Sequence, residues 1–360
     1  MTLSQMTRTG LVGLMLCAGS AFSAAAEIEA GLPKKTTAVL TVNLKQLLHA
    51  PLVKQHAVAH LRQACQDSEE VRTALEALGF DPLRDLDRLT LALVGEGEKA
   101  ERVLILRGRF DTERVHTAAK KLVAEYGDRF EMHKDDDLKY LSVVETGGHG
   151  SIVFGAGANA KKGATLNVET KGCLLDIFGK DCIALVDKNT LVAASSDELL
   201  KETCKHLADK TPTALSKPMR RLLAELDSKQ TIAFALCASP PTFETASTAE
   251  DKKTPEESKS SSVRELTGGI AVAEDFKLRC TVKTASAEDA RAVMKGFEEL
   301  RLRADGLTTL LAGSSKEYAF LKDIPRSFLA VRKGRILLVE GRLTAETLDK
   351  LLGACNVGNK

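Results

Sequence analysis

The sequence predicts an α+β fold: β-hairpin–helix units build one or more antiparallel sheets, with the helices packed on one face. Three observations carry this. A strand, a short turn, a second strand and a capped amphipathic helix follow one another four times along 360 residues. Hairpins require antiparallel pairing, and a helix with a single apolar stripe needs a sheet face to cover. The composition, 44% hydrophobic and 28% charged, is that of a folded chain and excludes wholesale disorder.

The elements follow in order. Residues 38–44 read as an apolar strand. Asn43 can cap a helix over 44–49, Pro51 can start one reaching Cys65, and Val71, Leu75 and Leu78 continue that face until Gly79 stops it. This stretch, 44–79, is a helical insertion in the first half. Residues 89–94 and 103–106 then form the first hairpin, and Asp111 caps a helix with Val115, Ala119, Leu122 and Val123 on one face. The second hairpin is 182–186 with 191–194, followed by a Ser195/Glu198 capping-box pattern.

Residues 231–237 open a second half. Its hairpin of 270–273 with 276–282 leads through Ser286 and Asp289 into a helix with Ala290, Val293, Met294, Phe297 and Leu300 inward. The last hairpin, 328–331 with 336–339, leads past Thr344 into the stripe Leu348, Leu351, Leu352 and Cys355. This parallel suggests an internal duplication with halves 27–214 and 215–360. Similarity among generic α+β segments remains the alternative. Residues 239–262, rich in Ser, Thr, Pro and charge, read as a flexible loop.

Residues 1–26 read as a signal peptide. One Arg precedes an apolar core at 10–22, and Ser23-Ala24-Ala25-Ala26 supplies the small residues of a cleavage site. The expectation is export to the periplasm or beyond, with no membrane-spanning segment after cleavage. Of eight cysteines, Cys17 falls in this leader, so an odd number remains in an oxidising compartment. Cys173 and Cys182 are close enough in sequence for a local disulfide, although spacing alone does not bring them together.

His49, His56 and His60 are the candidate metal ligands. The last two are i,i+4 neighbours on the expected helix, a spacing at which two imidazoles share one flank. The alternative is three half-exposed polar side chains beside an apolar stripe. Gly155-Ala156-Gly157-Ala158-Asn159-Ala160 formally fits a dinucleotide fingerprint, yet no apolar helix opens after it, and a hairpin loop is the better reading. Asp135-Asp136-Asp137 lacks the ligand spacing of a calcium loop and reads as a charged turn. No nucleophile elbow and no C-x-x-C occur, and no cofactor is expected. A net charge of +2 with 4% aromatics offers no nucleic-acid surface.

The segments AVLTVNLKQLLHAPLVKQH, EALGFDPLRDLDRLTLAL, VLILRGRFDTERVHTAAKKL and TGGIAVAEDFKLRCTVKTASAEDA resemble a group of exported proteins of planctomycete bacteria. The resemblance implies export and fold and brings no catalytic motif. Residues 78–86 of this pattern (LGFDPLRDL) read as architecture: Gly79 stops a helix and Pro82 restarts the chain. The functional expectation is an exported, soluble, non-enzymatic protein of unknown specificity with a binding or envelope-associated role, its partner an envelope component or another protein. Two alternatives stand beside it: a carrier for an apolar, lipid-like small molecule in a sheet–helix cavity, and a hydrolase or metal-dependent enzyme.

Overall fold

The computed structural model describes residues 28, 31–67, 69–97, 100–125, 127, 130–135, 138–143, 182–209, 215–227, 229–238, 263–314 and 316–357. The signal peptide, the glycine-rich stretch, Cys173 and the 239–262 loop therefore lie outside the described residues. The chain is an α+β protein divided into two compact units, Met1–Ala224 and Glu225–Lys360. The expected junction stood at residue 214.

In the first unit, strands β1 (Thr36–Val42), β2 (Leu86–Val94), β3 (Glu101–Gly108), β4 (Phe130–Asp135), β5 (Leu138–Val143), β6 (Cys182–Asp187) and β7 (Thr190–Ala194) run in the order β1-β2-β3-β7-β6-β5-β4. Their pairings are antiparallel. The register aligns Val39, Ala92, Val103, Ala194 and Cys182 in one row across five strands, and all five are buried. The opposite side of β3 and β7 is buried too, at the cross-strand pair Leu104 and Ala193. Burial on both sides explains why these two strands are nearly uninterrupted apolar runs instead of alternating ones.

The helices of this unit are α1 (Leu44–His49), α2 (Pro51–His56), α3 (Val58–Asp67), α4 (Glu69–Leu78), α5 (Pro82–Asp85), α6 (Thr112–Glu125), α7 (Asp197–Asp209) and α8 (Lys217–Ala224). The start and stop signals are largely as expected. Asn43 Oδ1 accepts from the Gln46 N–H, and Asp111 Oδ1 accepts from the N–H groups of Glu113 and Arg114. Gly79 ends α4 at φ 63°, with the Gly79 and Phe80 N–H groups donating back to Glu76 and Leu75. Two expectations fail. The helix expected from Pro51 to Cys65 is divided at Ala57, whose φ of −116° departs from helical geometry. The Ser195/Glu198 box does not form, because Ser195 Oγ is taken by the Arg102 N–H of β3 and α7 starts only at Asp197.

In the second unit, β8 (Ile232–Cys237), β9 (Val263–Val272), β10 (Phe276–Thr284), β11 (Phe328–Lys333) and β12 (Ile336–Leu343) are ordered β8-β9-β10-β12-β11. Helix α9 (Ala287–Ser314) lies over them, then a 3-10 segment (Lys316–Lys322), α10 (Asp323–Arg326) and α11 (Ala345–Val357). Here the expected capping box is made: Ser286 Oγ accepts from the Asp289 N–H while Asp289 Oδ2 accepts from the Ser286 N–H. Val282, Leu337 and Ala290 form the core, with Leu266, Val293 and Met294 packed against them. Phe328 and Phe234 lie over Gly341 and Gly268, where a Cβ would meet the rings. Leu300 departs from expectation: it is 68% exposed. Counting from Ala290 at 100° per residue, Leu300 has rotated about 80° off the sheet-facing line.

Candidate functional site

The chain places titratable groups together in two clusters of the first unit. The first begins with Asp85 at the end of α5. Its carboxylate accepts from Arg84 Nε at 3.0 Å, Arg84 Nη2 at 2.9 Å, Arg109 Nη2 at 3.1 Å and the Asp81 N–H at 3.0 Å. The Arg84 hydrogen bonds, with the Asp81 N–H and the Arg109 charge adding to them, hold the Asp85 carboxyl below the usual aspartate range. Asp81 in turn caps α5 by accepting from the Leu83 N–H. Every acceptor position of Asp85 is directed at its own chain, so the cluster is a clamp joining α5 to β3.

Beside it lies a cleft of about 330 Å³ lined by Arg62, Cys65, Arg72, Leu75, Phe80 and Arg84, among others. It sits among α3, α4 and the Gly79–Arg84 turn, within the helical insertion. Phe80 stacks on Phe110 with ring centroids 5.4 Å apart.

The second cluster surrounds Asp197 in the first turn of α7. Its two oxygens accept from Tyr140 Oη at 2.9 Å and Cys182 Sγ at 2.7 Å. These bonds lower the Asp197 pKa, that of Cys182 contributing most, while burial and the same carboxylate raise that of Tyr140. His133 stacks on Tyr140 at 4.8 Å and its Nε2 is 2.7 Å from Ser142 Oγ. Lys201 pairs with Asp135 at 2.7 Å. The Cys182 thiol is placed as a hydrogen-bond donor to the Asp197 carboxylate. Asp197 ties β5 and β6 to the start of α7.

The nominated histidines do not assemble. His49 ends α1 with Nδ1 donating to the Lys45 carbonyl at 2.7 Å. His56 ends α2 and His60 lies exposed on α3, across the break at Ala57. Among the described residues, no three His, Cys, Asp or Glu side chains come together as a metal-binding group. The Cys173–Cys182 pairing lies outside the described residues at Cys173.

An apolar surface on the second unit is the feature sequence reading missed. Along α9, Leu300, Leu302, Leu307 and Leu310 are 59–75% exposed. On the β11–β12 hairpin, Leu329 and Val331 are each 62% exposed, and Val331 stands opposite the exposed Leu338. The signal was available in LRLRADGLTTLLAG, where Leu300, Leu307, Leu310 and Leu311 share about 100° of one helix face. Among the described residues, no helix is long and apolar enough to cross a membrane.

No family model matches the chain, and no curated protein matches it. Among solved structures, crystal form I of TP0453 is similar over 90% of this chain and 96% of that one, at 8% identity and a TM-score of 0.41. Crystal form IV of TP0453 matches over 90% and 95%, at 9% identity and the same TM-score.

Proposed function

We propose that this is an exported protein that works by binding a component of the cell envelope, and that it binds through the apolar surface of its second unit. The exposed leucines of α9 carry the reading. Isolated apolar side chains on a surface need no explanation, whereas several large ones along one element mark an interaction site. A carrier would keep its apolar surface inside, around a cavity between sheet and helices. A cleft among the described residues lies in the helical insertion and has arginines in its lining. A catalyst would direct its titratable groups at a substrate, while Asp85 and Asp197 are satisfied by their own chain.

The test is a photo-reactive amino acid at position 307 of the full chain, expressed in exporting cells and activated in place. An adduct with an envelope lipid or protein is expected, and none should form from the buried position 337. Absence of any adduct at 307 overturns the binding reading. Native mass spectrometry of the same protein adds a second check: extra mass released on denaturation would favour the carrier instead.

A further inference from the structure

Strand β11 ends the strand order of the second unit and pairs only with β12. The register sets Phe328 against Gly341, and the Arg342 N–H donates to the Ser327 carbonyl at 3.3 Å. In an antiparallel ladder the hydrogen-bonded pairs recur at every second residue, here at Leu329, Val331 and Lys333. The N–H and C=O groups of Phe328, Ala330 and Arg332 therefore point away from β12, along the open edge. Among the described residues, none of these backbone groups has a partner. Open edges are normally protected by charge. On β4, which ends the first unit's order, the exposed side chains are Glu131, Lys134 and Asp135. On β11 they include Leu329 and Val331, each 62% exposed, on the side of the sheet away from α9 and beside the exposed Leu338.

The order of residues along β11 selects what would pair with it. A two-fold axis at Ala330 sets this residue opposite the Ala330 of a second copy, and Phe328 opposite the second copy's Arg332. Every unpartnered N–H and C=O of the edge then meets its complement. In the same register Leu329 stands opposite the second copy's Val331, and Val331 opposite its Leu329, as close pairs with Cα atoms about 4.5 Å apart. The exposed apolar side chains of both strands face one another, and no like charges meet. Neighbouring registers lose this. An axis at Val331 sets Leu329 against Lys333; one at Arg332 sets that guanidinium against its own counterpart; one at Leu329 sets Arg332 against Arg326 of α10. Any extended strand could take the backbone bonds, but the side-chain order fits a second copy.

We propose that two copies of this chain pair through β11, antiparallel about Ala330, and so join their second-unit sheets edge to edge. This goes beyond the envelope-binding reading, which rests on α9 on the other side of the sheet. The pairing covers the β11 edge and its two exposed apolar side chains and leaves the leucines of α9 free for that other partner.

The experiment is sedimentation velocity of the full chain, in which a dimer is expected to grow in over about 1–100 µM. Val331→Lys puts a charge opposite Leu329 and should raise the dimer dissociation constant about tenfold or more. Ala330→Pro removes an edge-facing N–H and no bond to β12, so it should weaken the dimer in the same direction. Each variant is scored only with the wild-type circular dichroism and unfolding midpoint, and Val331→Lys, at an exposed position, is expected to keep both. Leu310→Asp, on α9, should leave the dimer intact. Copies carrying Leu329→Cys, oxidised together with copies carrying Val331→Cys, should cross-link between positions 329 and 331. A monomer throughout that range overturns the proposal, as does a dimer that folded Val331→Lys leaves intact or that Leu310→Asp dissolves. Cross-links joining 331 to 331 instead overturn the register about Ala330. None of these outcomes decides whether position 307 forms an adduct in the envelope, so the two readings fail separately.

Discussion

Gly108 leaves its side-chain position to the carbonyl oxygen of Asp85: a Cβ there would meet that oxygen closer than any real contact. The same carbonyl accepts from the Arg109 N–H at 2.8 Å, so the backbone at the end of β3 lies directly against the end of α5. Asp85 therefore holds Arg109, the residue that follows β3, twice: through its backbone carbonyl and through its carboxylate.

Gly108→Ala should force these segments apart and destabilise the first unit by about 1–3 kcal/mol. Urea unfolding followed by circular dichroism measures it. A change within about 0.5 kcal/mol would mean that the backbone adjusts freely there.

Replacing the Asp85 carboxylate removes the partner of two guanidinium groups. Asp85→Asn should cost about 1–3 kcal/mol at neutral pH. The folded pKa is depressed, so the unfolded chain binds the proton first as pH falls. The contribution is complete above the ordinary aspartate range, near about pH 4, and disappears as pH falls through the folded value. The stability gap between wild type and variant should therefore close on acidification. A gap that stays constant from pH 7 to pH 2 would contradict the clamp.

Cysteine reactivity should follow burial. Burial pushes the Cys204 thiol up to about 12 and that of Cys280 up to about 11. Neither presents a thiolate at pH 8, and alkylation of the native protein should be slow at both and fast after unfolding. Peptide mass mapping after timed alkylation reads this directly. Rapid native labelling of Cys204 would place that face of α7 in solvent.

The leucines of α9 should be dispensable for folding. Leu310 is 75% exposed, so Leu310→Ser should shift stability by no more than about 0.5 kcal/mol. Leu337 is fully buried under the same helix, and Leu337→Ala should cost about 2–5 kcal/mol. Comparable losses for both would mean that the exposed row supports the fold.

The sequence by itself determined the local structure. The Ser286/Asp289 box, the Asn43 and Asp111 caps and the Gly79 stop each depend on neighbours a few residues away, and those interactions formed as read. Tertiary structure decided whatever depends on distant partners. Ser195 Oγ accepts from the backbone N–H of Arg102, 93 residues earlier, and the expected capping box did not form. Asp197 met Tyr140 and Cys182 because the sheet order places β5 and β6 beside the start of α7. His56 and His60 kept their spacing but lost their shared helix at Ala57. Leu300 continued the apolar stripe on paper, yet 3.6 residues per turn carried it off the sheet-facing line. Periodicity records which residues are apolar along a helix; only the packed sheet sets how much of that surface the chain itself can cover.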